Sequence, residues 1–134
     1  MMEIWILRFP EPRQKPSDSR PLLVLQRNAD GEVTELETVE IQGGNENLPD
    51  VVEAQIAKGR PRLILDLLNE KQLNSNDLAQ IVGASKFAKD AGGELVFANP
   101  NTRVREIFRI THLDEVMAVY DSIGAAADHF TSAD

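Results

Sequence analysis

Two short apolar runs in the second half of the chain constrain its fold most strongly. They are residues 62–67 (RLILDL) and 94–98 (ELVFA), and helix-like patterns precede and follow each of them. A near-continuous apolar run of this length is typical of a strand that is covered on both faces. Helices that alternate with such strands predict right-handed crossovers and therefore an α/β architecture with helices packed against a sheet.

The helical patterns around those strands have recognisable ends. Gly59 ends the first pattern, and Gly92 and Gly93 end the second. Residues 99–101 (NPN) predict a cap before a third helix that starts at a proline, and residues 117–119 predict a short strand before a closing helix. In the second helix we expect one face to point inward: Leu78, Ile81, Val82 and Ser85.

The N-terminal part predicts a strand followed by a hairpin. Residues 3–9 are strand-like, prolines interrupt the loop 10–21, and residues 28–31 (NADG) have the composition of a hairpin turn. The return strand, 33–41, loses its apolar alternation partway along. This slip predicts a bulge or an early strand break near Glu37.

Composition limits the classes of function. A chain of 134 residues predicts a single domain, and a net charge of −8 argues against nucleic-acid binding. No apolar run reaches the roughly 20 residues of a membrane span, and the absence of cysteine suits a reducing cytoplasm. Residues 28–57 carry acidic but no basic side chains; we interpret them as a solvated face, with a surface for a basic partner as the alternative.

No constellation of residues predicts catalysis, a metal site or a cofactor. His112 and His129 lie in different elements, so each is predicted to be a surface or turn residue. Asp66 ends a predicted strand, where it could act as a base but more simply would accept hydrogen bonds from loop amides. The pairs at 43–44 and 92–93 match no glycine-rich phosphate loop. A non-enzymatic binding module is therefore expected.

The second half of the sequence resembles a known family. The run RLILDL, a serine that opens a helix eight residues later, and the segment GGELVFANPNTRVREIFRITHLDEVMAVYDS are similar to the STAS domain of bacterial anti-sigma factor antagonists. The resemblance covers residues 39–134 best. Residues 1–38, with the proline-rich loop 10–21, form a divergent start of what is expected to be one STAS-like domain, 1–134.

The resemblance implies a STAS-like α/β fold: a small mixed sheet with about four helices packed mainly on one side, after an N-terminal strand and hairpin. It implies a cytoplasmic protein of signal transduction and transcription regulation that works by partner switching, without a cofactor. The partner would be an anti-sigma factor of the ATP-binding serine kinase type, or another STAS-binding protein. No contact with nucleic acid or membrane is implied, and a homodimer is one oligomeric option.

In that family the second helix begins with Asp-Ser-Ser/Thr-Gly-Leu, and the kinase phosphorylates the second hydroxyl. Here those five positions hold Asn74, Ser75, Asn76, Asp77 and Leu78, which are the predicted switch region and partner contacts. Asn76 has no hydroxyl, so the usual phosphorylation is expected to be absent. Ser75 could accept phosphate instead, although Asp77 would repel it.

Two interpretations of this segment remain open. Asn74 or Ser75 could simply cap the helix, with Asp77 favoured at its positive end. Alternatively, Asp77 supplies a permanent negative charge where relatives make one reversibly. Two other functions also remain open: a scaffold subunit that builds stressosome-like oligomers, and a nucleotide-binding STAS module.

Overall fold

The computed structural model describes residues 4–8, 20–27, 31–41, 48–70, 73 and 75–132, and this part of the chain forms one mixed sheet with helices on both faces. The strands are β1 (Ile4–Arg8), β2 (Arg20–Arg27), β3 (Val33–Ile41), β4 (Arg62–Asp66), β5 (Glu94–Ala98) and β6 (Val119–Tyr120). The helices are α1 (Leu48–Ala57), α2 (Ser75–Asp90), α3 (Thr102–Ile110) and α4 (Ile123–Ser132), with a 3-10 turn at Leu113–Glu115. The predicted α/β class is confirmed.

The sheet has the order β3-β2-β1-β4-β5-β6. β1, β2 and β3 pair antiparallel, whereas β1, β4, β5 and β6 run parallel to one another. The parallel strands are joined by helices, as a crossover between parallel neighbours requires. Their carboxyl ends therefore meet at one edge of the sheet.

The pairing of β2 with β3 contains the predicted irregularity. Val24 pairs with Glu37 but the next residue, Leu25, pairs with Glu35. Leu36 is thus the extra residue of a bulge. The slip in apolar alternation is explained by this single inserted residue, and the expectation near Glu37 is confirmed.

The two faces of the sheet bury separate apolar clusters. Leu63, Leu65 and Phe97 point toward α1, α2 and α3, whereas Ile64 and Val96 point toward α4. Successive residues of a strand face opposite sides, so a strand buried on both faces needs apolar residues at every position. This arrangement explains the continuous apolar runs of β4 and β5, and it confirms helices mainly on one side.

The inward face of α2 agrees with the prediction at Leu78 and Ile81 but not at Val82. Ile81, Ala84 and Ala88 are its buried residues, while Val82 is 39% exposed. Gly83 lets α2 lie close to α1, because a Cβ there would come within 3.2 Å of Pro49. The prediction that Val82 points inward was wrong, because small alanines and not this larger apolar side chain occupy the buried face.

Glycine ends α2 in a specific hydrogen-bonded geometry. Gly92 has φ of +88°, its N–H donates to the Lys89 carbonyl at 3.1 Å, and the Gly93 N–H donates to the Ala88 carbonyl at 2.8 Å. These two bonds form a Schellman motif, in which the residue after the cap is left-handed. The helix therefore turns directly into β5.

The start of α3 also differs in detail from the sequence expectation. Asn101 caps the helix, its side-chain oxygen accepting the Val104 N–H at 2.8 Å, and α3 begins at Thr102. Pro100 therefore precedes the cap and does not start the helix. Among the helices of the described residues, none combines the length and the apolar composition of a membrane span.

Candidate functional site

The candidate site is the loop from β4 to α2, at the edge where the parallel strands end. β4 ends at Asp66 and α2 begins at Ser75. Arg8, the last residue of β1, pairs with Asp66, which in turn pairs with Ala98 at the end of β5. The carboxyl edge of an open α/β sheet is where such folds usually carry their sites.

The described part of the switch region lies at the start of α2. Ser75 is exposed, Asp77 is half-buried in the first turn, and Leu78 is partly buried against the core beneath three of the helices. Asn74 falls outside the described residues, and of Asn76 only the helical backbone is described. The geometry therefore places Ser75 and Asp77 where a partner can reach them. Whether these five residues bind a partner stays a prediction.

The Asp66 carboxylate links three segments of the chain beneath this loop. It is 1% exposed, and its Oδ2 accepts the Arg8 Nε–H at 2.6 Å. Its Oδ1 accepts the Leu68 backbone N–H and the Asn99 side-chain N–H, both at 3.0 Å. The expectation that Asp66 accepts a loop amide is confirmed. A carboxylate engaged by three donors is suited to holding structure, because buried charge is stable only when it is paired and hydrogen-bonded.

Further hydrogen bonds fasten the β4–α2 loop to the loop that follows β5. The Leu67 N–H donates to the Ala98 carbonyl at 2.8 Å, and the Asn101 side-chain N–H donates to the Glu70 carbonyl at 3.2 Å. Asn99 has φ of +60°, a left-handed conformation that asparagine tolerates well. The sequence NPN thus does more than cap α3. Its two asparagines hold the neighbouring loop, which the helix-capping interpretation missed.

One apolar side chain of the loop faces solvent. Leu68 is 60% exposed, whereas Leu67 and Leu73 are 1% and 8% exposed. The loop is therefore anchored in the core by its two buried leucines and presents the third outward. The exposed Leu68 side chain adds apolar surface to the part of this loop that the structure describes.

The two histidines have different surroundings. His112 lies in an exposed left-handed turn, φ +61°, where its Nδ1 is 2.6 Å from Glu115, so the prediction of a turn residue is confirmed. His129 is half-buried: its Nδ1 is 2.6 Å from the Tyr120 hydroxyl and its Nε2 is 2.9 Å from Glu94. The His129 side chain is 25% exposed, and its contact with Glu94 crosses 35 residues of sequence, so no local pattern reveals that contact.

Other parts of the described chain offer little for chemistry. Within the residues that the structure covers, no group of three or more His, Asp and Glu side chains could hold a metal ion. A shallow cavity of about 290 Å³ lies between α2 and the turn before β6, with Lys89, Glu94 and Met117 in its wall. This cavity shares no residue with the switch region.

Comparison with known proteins identifies a STAS domain, the same family that the sequence resembles. A family model described as the STAS domain matches residues 40–126. A candidate anti-sigma factor antagonist from Thermotoga neapolitana is 32% identical over 71 residues, which are 53% of this chain and 63% of that protein. Another, from Bordetella bronchiseptica, is 33% identical over 88 residues, or 66% of this chain and 76% of the relative.

Solved structures agree at the level of the fold. The crystal structure of a candidate anti-sigma factor antagonist from Thermotoga maritima has a TM-score of 0.54 at 23% identity, covering 67% of this chain and 85% of that one. An NMR structure with the same TM-score covers 68% of this chain. The match to the Thermotoga neapolitana sequence spans less than two thirds of that relative's length.

Proposed function

Since the chain belongs to the STAS domain family, we propose that it acts as an anti-sigma factor antagonist that binds its partner through the start of α2. The proposed partner is an anti-sigma factor of the ATP-binding serine kinase type, and the contact residues are those of the switch region, 74–78. The observation that carries the proposal is the exposure of Ser75 and the half-exposed Asp77 at the helix start, inside the matched family segment.

The proposed action is regulatory and not catalytic. By occupying the anti-sigma factor, the protein would release a sigma factor, and this exchange would take place in the cytoplasm where transcription occurs. The family match begins at residue 40, which supports a core at 39–134 within one domain.

We further propose that this member lacks the usual phosphorylation switch. Asn76 stands where the family has its phosphorylated hydroxyl, and Asp77 keeps a negative charge in the first turn of α2. Negative charge is favoured at a helix N-terminus, by about 0.3 to 1 kcal/mol. The protein would then remain in one binding state, and its supply, not its modification, would control the sigma factor.

Intact-mass measurement after incubation with an anti-sigma kinase and ATP tests the missing switch. The unchanged protein is expected to gain no phosphate, whereas the variant Asn76→Ser is expected to gain one. A phosphate on the unchanged protein would show that Ser75 or another residue is the acceptor and would overturn this part of the proposal.

Calorimetric titration with the same kinase tests the binding face. Asp77→Asn is expected to change the affinity, while Asp90→Asn, an exposed substitution at the opposite end of α2, is expected to leave it unchanged. Equal affinities for both variants and the unchanged protein would remove Asp77 from the contact surface.

A further inference from the structure

Asp66 lies outside the switch region, and its contacts suggest a role of its own. Its three donors come from separate parts of the chain: Arg8 ends β1, Leu68 lies in the β4–α2 loop, and Asn99 follows β5. The Asp66 side chain is fully buried, while that of Arg8 is 27% exposed. A charge-assisted bond to an ionised group is roughly twice as strong as a neutral one. The carboxylate is therefore a strong junction between two strand ends and the loop.

This junction fixes the backbone of the one leucine that the loop exposes. Oδ1 of Asp66 accepts the Leu68 N–H at 3.0 Å, and the Leu68 side chain stands 60% exposed. On either side, the Leu67 and Leu73 side chains are buried in the core. An apolar group with a fixed backbone loses less conformational freedom on binding than one on a loose loop.

We propose that Asp66 is a positioning residue for the partner-binding face, and that Leu68, whose backbone it holds, is an apolar contact for the protein partner. This inference rests on the proposed function, because the occupant it commits to is the kinase-type anti-sigma factor. Leu68 belongs to the same loop that leads into the start of α2, so it is continuous in sequence with the proposed contact residues. It adds an apolar anchor to a face whose other described residues are polar or half-buried.

Truncation of Leu68 tests the contact. Leu68→Ala is expected to weaken binding of the anti-sigma kinase about tenfold in calorimetry, because several apolar carbons lose their buried contact area. Ile110→Ala is the matched control, since Ile110 is 62% exposed and lies at the far end of α3. Equal affinities for the two variants would overturn the contact. A loss in self-association instead of kinase binding would assign the surface to a second copy of the chain and would likewise overturn it.

Amide hydrogen exchange in the free protein tests the positioning separately. In Asp66→Ala the Leu68 amide loses its acceptor, so its exchange is expected to be about tenfold faster or more, while amides of α4 keep their rates. Asp66→Asn retains an oxygen that can accept, so the Leu68 amide is expected to stay closer to its original rate. Unchanged Leu68 exchange in Asp66→Ala would overturn the positioning role.

A second variant tests the positioning role independently, in case Asp66→Ala does not fold. Asn99→Gly removes one donor to the carboxylate, and glycine accommodates φ of +60° without strain. It is expected to speed Leu68 exchange and to weaken kinase binding in parallel, and an unchanged rate and affinity would count against the proposal. If the unchanged protein binds no anti-sigma kinase, the proposed function and the Leu68 contact both fail, whereas the exchange rates still decide the role of Asp66.

Discussion

Replacing Gly92 and Gly93 one at a time should destabilise the protein for two different reasons. Gly92 occupies the left-handed position after α2, with φ of +88°, and an added Cβ would find nothing within 4 Å. Gly93 has no such backbone requirement, but its Cβ would lie 2.7 Å from the Pro61 carbonyl oxygen and 3.1 Å from Ile56 Cδ1. One residue is glycine for its backbone and the other for space.

The expected costs follow from these two situations. Gly92→Ala places an L-residue in the left-handed region, at about 1 to 2 kcal/mol. Gly92→Asn should cost less, since asparagine is the residue that most often replaces glycine there. Gly93→Ala must push against backbone, because Glu94 N–H donates to that same Pro61 carbonyl at 2.8 Å. Overpacking of this kind costs about 1 to 3 kcal/mol, and Gly93→Asn should cost no less than Gly93→Ala.

Urea unfolding of the four variants measures the free energy of unfolding for each. The expected pattern is that asparagine is milder than alanine at Gly92 and no milder than alanine at Gly93. Gly124→Ala in α4 is the control: its nearest neighbour would be 3.8 Å away, and removing a helical glycine should stabilise by up to about 1 kcal/mol. Gly93→Ala with the stability of the unchanged protein would refute the reasoning from close approach.

Two other predictions concern polar side chains. His129→Ala should lower the free energy of unfolding by about 1 to 2 kcal/mol, because Tyr120 and Glu94 lose their shared partner. His112→Ala, in an exposed turn, should change the free energy of unfolding little. Urea unfolding measures both. The hydrogen bond from Arg109 holds the pKa of Glu106 below its ordinary value, so Arg109→Gln should raise that pKa toward 4.5 in an NMR titration. Because the pKa of Glu106 is lowered, the Glu106–Arg109 pair contributes to stability at pH values above the ordinary pKa. This contribution is lost as the pH falls through the lowered pKa. An unchanged Glu106 pKa in Arg109→Gln would contradict this.

Local pattern was enough to predict much of the fold but not its long-range contacts. The apolar runs of β4 and β5 identified a sheet covered on both faces, and the slipped alternation predicted a bulge or strand break near Glu37, next to the inserted Leu36. Both signals are short-range consequences of side-chain alternation. The placement of β1 between β2 and β4 depends on pairing between distant segments, which alternation does not encode.

The candidate site was predictable only in part for the same reason. The start of α2 has a local signature, but the bonds from Arg8 and Asn99 to Asp66 cross 58 and 33 residues of sequence. His129 likewise contacts Glu94 across 35 residues. When folding brings a side chain together with a partner from a distant segment, the sequence alone does not distinguish that side chain from an ordinary surface residue. The contacts of these residues become visible only in the folded sheet.

The two ends of the sheet also bear on aggregation. β6 is only two residues long, and β3 carries the bulge and the exposed Glu35, with the exposed Glu32 directly before the strand. A flat, apolar edge would invite strands of other molecules to add to it, whereas a short or kinked and charged edge opposes such growth. Val33 and Leu36 are exposed along that same edge. Removing the bulge together with the glutamates would therefore convert the edge into a template for fibre-like stacking.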